Sequence, residues 1–151
     1  MKKNIFLLAD TNEVITRIQQ LNPDSKPLWG KMAVGQMLAH CNVTYELVYE
    51  NIHPKPNFFI SFVLEFFVKK HIVGDKPFNQ NIKTAPYFIV KDNKNFESER
   101  TRLINYIYKT QELGESYFEN KESHSFGVLT KSEWNNMFYK HLDHHLRQFG
   151  M

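Results

Sequence analysis

Seven histidines occur among 151 residues, and three of them crowd into the stretch His141-Leu142-Asp143-His144-His145 near the end of the chain. On a helix, positions four apart differ by ~400° of rotation and ~6 Å of rise, so His141 and His145 face the same neighbour. Two imidazoles placed this way can converge on one divalent cation, as the paired histidines of an HExxH helix do. His144 stands three positions from His141 and ~60° off an ideal stack, which makes it the alternative ligand.

The face that carries His141 runs back through Phe138 and Trp134 and forward to Gln148. Its early turns therefore build apolar core and its late turns present nitrogen ligands and an amide to the same interior. A pair leaves coordination incomplete, and His40, flanked by Met37, Leu38 and Cys41 with Gln36 and Thr44 one turn away, is the third candidate. The competing reading makes His40 a hydrogen-bonded histidine at the core's edge and the histidine-rich stretch a polar helix end suited to the helix dipole. Asp143 lies opposite His141 and is expected to pair with Arg147. Cys41 is turned 100° from His40 and reads as a small core residue rather than a ligand or nucleophile. The chain has no GxSxG, phosphate-binding loop, dinucleotide fingerprint or paired C-x-x-C motif.

The elements that must position these side chains are helical. Asp10 or Thr11 can cap a first helix reaching about Leu21, with Val14, Ile18 and Leu21 on one face, and Pro23 and Pro27 end it. A second helix is predicted from about Met32 to Glu50, with His40 at the border of its apolar stripe. Phe58 to Val68 reads as a short third element with apolar positions at Phe59, Phe62, Val63, Phe66 and Phe67. Gly74 to Asn93 lacks a period and is predicted to be a long crossover, either a wall or lid of a pocket or a mere strap. Phe96 to Leu113 is a further helix stopped by Gly114, and the loop with His124, Phe126 and Gly127 leads to a capping box at Thr130 and Glu133. Packed antiparallel, four main helices make one all-α domain. That packing predicts His124 at the far end from His145, as a loop histidine that stabilises a turn; the alternative is that the preceding loop doubles back and brings it to the pocket.

A formal charge of +3, spread without a long like-charge block, argues against nucleic acid as a partner. The single Cys41 excludes an intramolecular disulfide and suits a reducing, cytoplasmic setting. The opening MKKNIFLLADTNEVI has two lysines and a short apolar run, but Asp10 and Glu13 follow at once with no small-residue cleavage site, so a signal peptide is not expected. The Phe58 to Val73 run is interrupted by Glu65, Lys69, Lys70 and His71 short of the ~20 apolar residues of a span, so a buried or interface-lying helix is expected and no membrane partner.

The blocks LNPDSKPLWGKMAVGQMLAHC and FGVLTKSEWNNMFYKHLDHHLRQFG resemble an uncharacterised branch of the DinB-like, YfiT-related superfamily of four-helix metal proteins. The resemblance implies an up-up-down-down bundle, often a homodimer, whose metal ligands correspond to His40, His141 and His145. Many relatives continue the last pair as H-R-G-Q, whereas here Leu146, Arg147 and Gln148 follow His145. Relatives include metal-dependent transferases that use low-molecular-weight thiols, and hydrolases. Three imidazoles with an open position suit Zn²⁺ or Ni²⁺ and a reactive site. The expectation is a metal-dependent thiol transferase or hydrolase acting on a small molecule, with Gln148 or His144 orienting substrate. The alternative is a non-catalytic metal-binding or interaction protein.

Overall fold

In the computed structural model, which describes residues 3–151, helix dominates. The first two residues of the leading MKK stretch lie outside the described residues. Along the chain come α1 (Leu8–Gln20), α2 (Val34–Tyr49), α3 (Phe58–Val63), α4 (Lys69–Val73), α5 (Phe96–Phe118) and α6 (Lys131–Gln148). A wider π turn, Leu64–Val68, joins α3 to α4, and a 3₁₀ turn, Pro86–Phe88, interrupts the crossover to α5.

Helix α1 begins before the expected cap. Asp10 and Thr11 lie in its first turn: the Asp10 carboxylate accepts from the Asn4 N–H at 2.8 Å, and the Thr11 hydroxyl donates to the Ile5 carbonyl at 2.6 Å. Both tie the incoming chain to the helix, a use of the same donor and acceptor types that spacing alone does not separate from capping. Val14, Ile18 and Leu21 are buried together.

Helix α2 is buried around nearly its whole circumference from Val34 to Glu46, because α5 and α6 pack on it and the Pro86–Phe88 turn closes over it. His40 is therefore an interior residue, not one at the border of a stripe. The Cys41 thiol sits in this core 3.8 Å from the Met37 sulfur, and burial pushes its pKa up.

Helix α5 is broken where expected: Gly114 takes φ 70° and ψ 169°, a conformation glycine adopts without a Cβ clash. A further turn continues past it and buries Phe118 against Trp134 (ring centroids 5.4 Å) and Phe138 (5.4 Å). Tyr45 of α2 stacks on Phe138 at 5.0 Å, so aromatic rings from α2, α5 and α6 share one core. The stretch expected as a loop before α6 contains a short antiparallel ribbon, β1 (Lys121–Glu122) with β2 (Val128–Leu129), Lys121 opposite Leu129. Two-residue strands carry no alternation to read. At α6 the capping box forms: the Thr130 hydroxyl accepts from the Glu133 N–H at 3.3 Å, and the Glu133 carboxylate accepts from the Thr130 N–H at 2.9 Å.

Two surface features depart from expectation. Asp143 pairs with Arg17 of α1 at 2.9 Å and only distantly with Arg147, at 3.9 Å, because α1 packs beside α6. The Phe58 run is helical, but Phe59, Phe62, Val63, Phe66 and Phe67 are exposed. Leu64, Val68 and Ile72 of that segment turn inward, and Val73 is buried in the core. Among the described residues, no helix is long and apolar enough to cross a membrane.

Candidate metal centre

His40 of α2 and His141 and His145 of α6 each bring one ring nitrogen to within 4.8 Å of the others, a grouping that could hold a metal ion. The closest approach is between Nε2 of His40 and Nε2 of His141, 3.0 Å apart. Two helices separated widely in sequence build the cluster, since α2 packs along α6.

The remaining nitrogens are all engaged. His40 Nδ1–H donates to the Phe88 carbonyl at 2.8 Å, and a carbonyl can only accept, so Nε2 of that ring is left with a lone pair. His145 Nδ1 lies 2.8 Å from Gln148 Oε1, while Gln148 Nε2 donates to the Trp29 carbonyl at 2.8 Å. With the amide oriented that way, Oε1 accepts and Nε2 of His145 is also free. His141 Nδ1 is 2.9 Å from the Thr44 hydroxyl, which can accept or donate. Each ring is thus held by an outer partner of the kind that orients metal-ligating histidines.

Burial favours the neutral rings. It is the first cause that lowers the pKa of His40 and holds His141 well below the imidazole range, and it brings His145 down to about 3. Any positive charge on one ring opposes charging the next. Neutral imidazole is the form that binds metal.

The other candidates fall differently. His144 is half-buried and packs edge-on against Trp29 (5.9 Å) and Phe78 (5.7 Å), outside the converging set. Both polar ends of Gln148 are committed, one to His145 and one to the Trp29 backbone, so its geometry is that of a residue positioning a ring. Gly30, at φ +79°, makes room for this: a Cβ there would stand 2.6 Å from Gln148 Nε2. Cys41 remains in the core, away from the cluster.

The three histidines open on a cavity of about 600 Å³, walled by Leu47 and Val48, by Leu64, Val68 and Ile72, and by the crossover through Phe78 and Phe88. The crossover is a wall of the cavity, not only a strap. His124 lines the same cavity, against the expectation that it lies at the far end. The β1–β2 ribbon folds it back, with Nε2–H donating to the His53 carbonyl at 3.3 Å and Nδ1 facing the Ser125 hydroxyl at 2.8 Å.

The Phe88 carbonyl, Thr44 as partner of His141, and Ser125 were not singled out by sequence reasoning. The Pro86 turn in a long unpatterned crossover was the one signal for the first. A family model described as "Protein of unknown function (DUF1569)" matches residues 2–150. No curated protein matches the chain, and no solved structure does.

Proposed function

Because the chain belongs to the DUF1569 family, whose description states no activity, we propose a function from its site: His40, His141 and His145 hold one divalent metal, zinc or nickel, in a thiol transferase acting on a small apolar molecule. The carrying observation is the set of three rings that each bring one nitrogen to within 4.8 Å of the others while their Nδ1 atoms lie against Phe88, Thr44 and Gln148. Zinc and nickel suit such a donor set, whereas iron(II) more often takes a carboxylate. Among the described residues, no carboxylate lines the cavity.

When bound by three imidazoles with an open position, such a metal supplies a Lewis acid that acidifies a thiol or water toward neutral pH. Phe88, Thr44 and Gln148 fix the rings, and the aliphatic and aromatic walls keep water from the reacting groups. Lys31 and Lys83 line the cavity and offer cations to an acidic low-molecular-weight thiol. His144, at the cavity wall, orients the second substrate. In the transfer reading the thiol itself is the nucleophile. A hydrolase would use His124 instead as its base.

The reading of the fold as a DinB-like, up-up-down-down bundle is supported by the packing of α1 and α2 each on α5 and α6 and by a ligand set drawn from α2 and α6. The test is metal content of protein purified without a histidine tag, followed by a panel of thiols and electrophiles assayed with zinc-loaded, nickel-loaded and metal-free protein. Turnover confined to the loaded forms supports the transferase. Stoichiometric metal with no turnover leaves a metal-binding protein without catalysis, and failure to bind either metal overturns the proposal.

A further inference from the structure

Seven exposed large hydrophobics, Phe58, Phe59, Ile60, Phe62, Val63, Phe66 and Phe67, fall within ten consecutive residues. Phe58 is 89% exposed and Phe66 and Phe67 are each 71% exposed. Phe66 touches both Phe62 (ring centroids 6.0 Å) and Phe67 (5.2 Å), so these three rings form one patch rather than scattered side chains. A contiguous aromatic face of this kind marks a binding surface. The opposite side of the same segment, Leu64, Val68 and Ile72, already walls the cavity. The inward residues and the outward row Phe62, Phe66, Lys70 each repeat every four positions, which places Lys70 in line with the exposed rings.

The segment that carries this face is net basic. Residues 55–83 hold Lys55, Lys69, Lys70, Lys76 and Lys83 against Glu65 and Asp75, so this stretch carries a charge equal to the +3 of the whole chain. The Glu65 carboxylate lies against Gly127, Asp75 accepts from the Asn136 side chain at 2.8 Å, and both acids share with Glu133 the groove that Lys69 and Lys70 line. Aromatic rings fringed by lysines suit an anionic lipid surface, in which the rings enter the headgroup boundary by ~5–10 Å and the ammonium groups stay at the phosphates. A second copy would bring the same net positive segment against this one.

We infer that the Phe58–Lys70 face docks on the surface of an anionic bilayer, without spanning it. Docking would leave the cavity one helix thickness, ~10–12 Å, from the lipid. This revises the sequence expectation of no membrane partner, and it stands independently of the metal.

The test is co-sedimentation of the full chain with phosphatidylcholine vesicles and with vesicles that also contain phosphatidylserine. The wild type is expected to bind the anionic vesicles and to be released by salt. Binding should fall at least ~10-fold in the triple variant Phe62→Ser, Phe66→Ser, Phe67→Ser, and ~5-fold in Lys70→Gln. Unchanged circular dichroism in the triple variant shows that a loss of binding is not a loss of fold; if it unfolds, Lys70→Gln and the salt dependence decide. Wild type that ignores every vesicle overturns the inference, as does binding indifferent to both phosphatidylserine and the phenylalanines. Dimers that the triple variant dissociates, with no vesicle binding by wild type, would assign the face to a second copy instead.

Discussion

Nε2 of His40 and Nε2 of His141 lie 3.0 Å apart although 101 residues separate them in the chain. His40 gives its one proton to the Phe88 carbonyl, so its Nε2 faces His141 with a lone pair. In the absence of a cation, only a proton on His141 Nε2 relieves the opposition of two lone pairs, and the Thr44 hydroxyl must then donate to His141 Nδ1. A metal at the cluster requires the reverse tautomer, with Nδ1–H of His141 donating to Thr44. Nitrogen NMR of the His141 ring should show the tautomer exchange on zinc addition. An unchanged tautomer at full occupancy would remove His141 from the ligand set.

The histidines should be unequal under mutation. His40→Ala, His141→Ala and His145→Ala are each expected to lose stoichiometric metal, while His144→Ala and His71→Ala retain it. All five should keep their helical circular dichroism, because the Tyr45, Phe118, Trp134 and Phe138 core does not involve the cluster. Full occupancy in the His40 variant, or loss in the His144 variant alone, contradicts the assignment.

Outer partners should matter less than ligands but measurably. Gln148→Leu leaves His145 Nδ1–H without its acceptor, and Thr44→Val does the same at His141, so each should weaken zinc affinity ~10–100-fold. Gly30→Ala forces a methyl group toward Gln148 Nε2 and should weaken affinity in the same direction without touching any ligand. Competition with a chromophoric chelator measures all three, and wild-type affinity in Gly30→Ala would dissociate Gln148 from the centre.

Acid should act in a defined window. An exposed imidazole takes up its proton near ~6.5, whereas burial keeps His145 neutral down to about 3 and lowers His40 and His141 as well. Below ~6.5 the unfolded chain therefore binds protons that the folded chain refuses, and stability falls as pH drops through that window. The urea midpoint of metal-free protein should decline from pH 6.5 toward pH 3, less steeply in His145→Gln. Metal release should have its midpoint below 6.5; release centred at or above that value would show that the rings are not protected by burial.

Two substitutions gauge the scaffold. Phe138→Ala removes a ring with no exposure from the meeting point of α2, α5 and α6 and should cost ~3–5 kcal/mol. Thr130→Ala removes the α6 cap and should cost ~1 kcal/mol. Chemical denaturation separates these values readily.

Local chemistry is legible in the order of the residues. The four-residue step places His141 and His145 on one side of a helix, Thr130 with Glu133 marks the helix start, and Gly114 marks a break, because each depends on contacts within a turn or two of the chain. The burial of Trp134 and Phe138 is legible for the same reason. Tertiary packing alone decides which groups meet: that His40 closes on His141, that Phe88, Thr44 and Gln148 choose the tautomers, and that the ribbon returns His124 to the cavity. It also decides the fate of the Phe58 run. Helical period reveals that an apolar face exists, but whether that face is covered depends on which distant segment packs there, and among the described residues none lies over those rings.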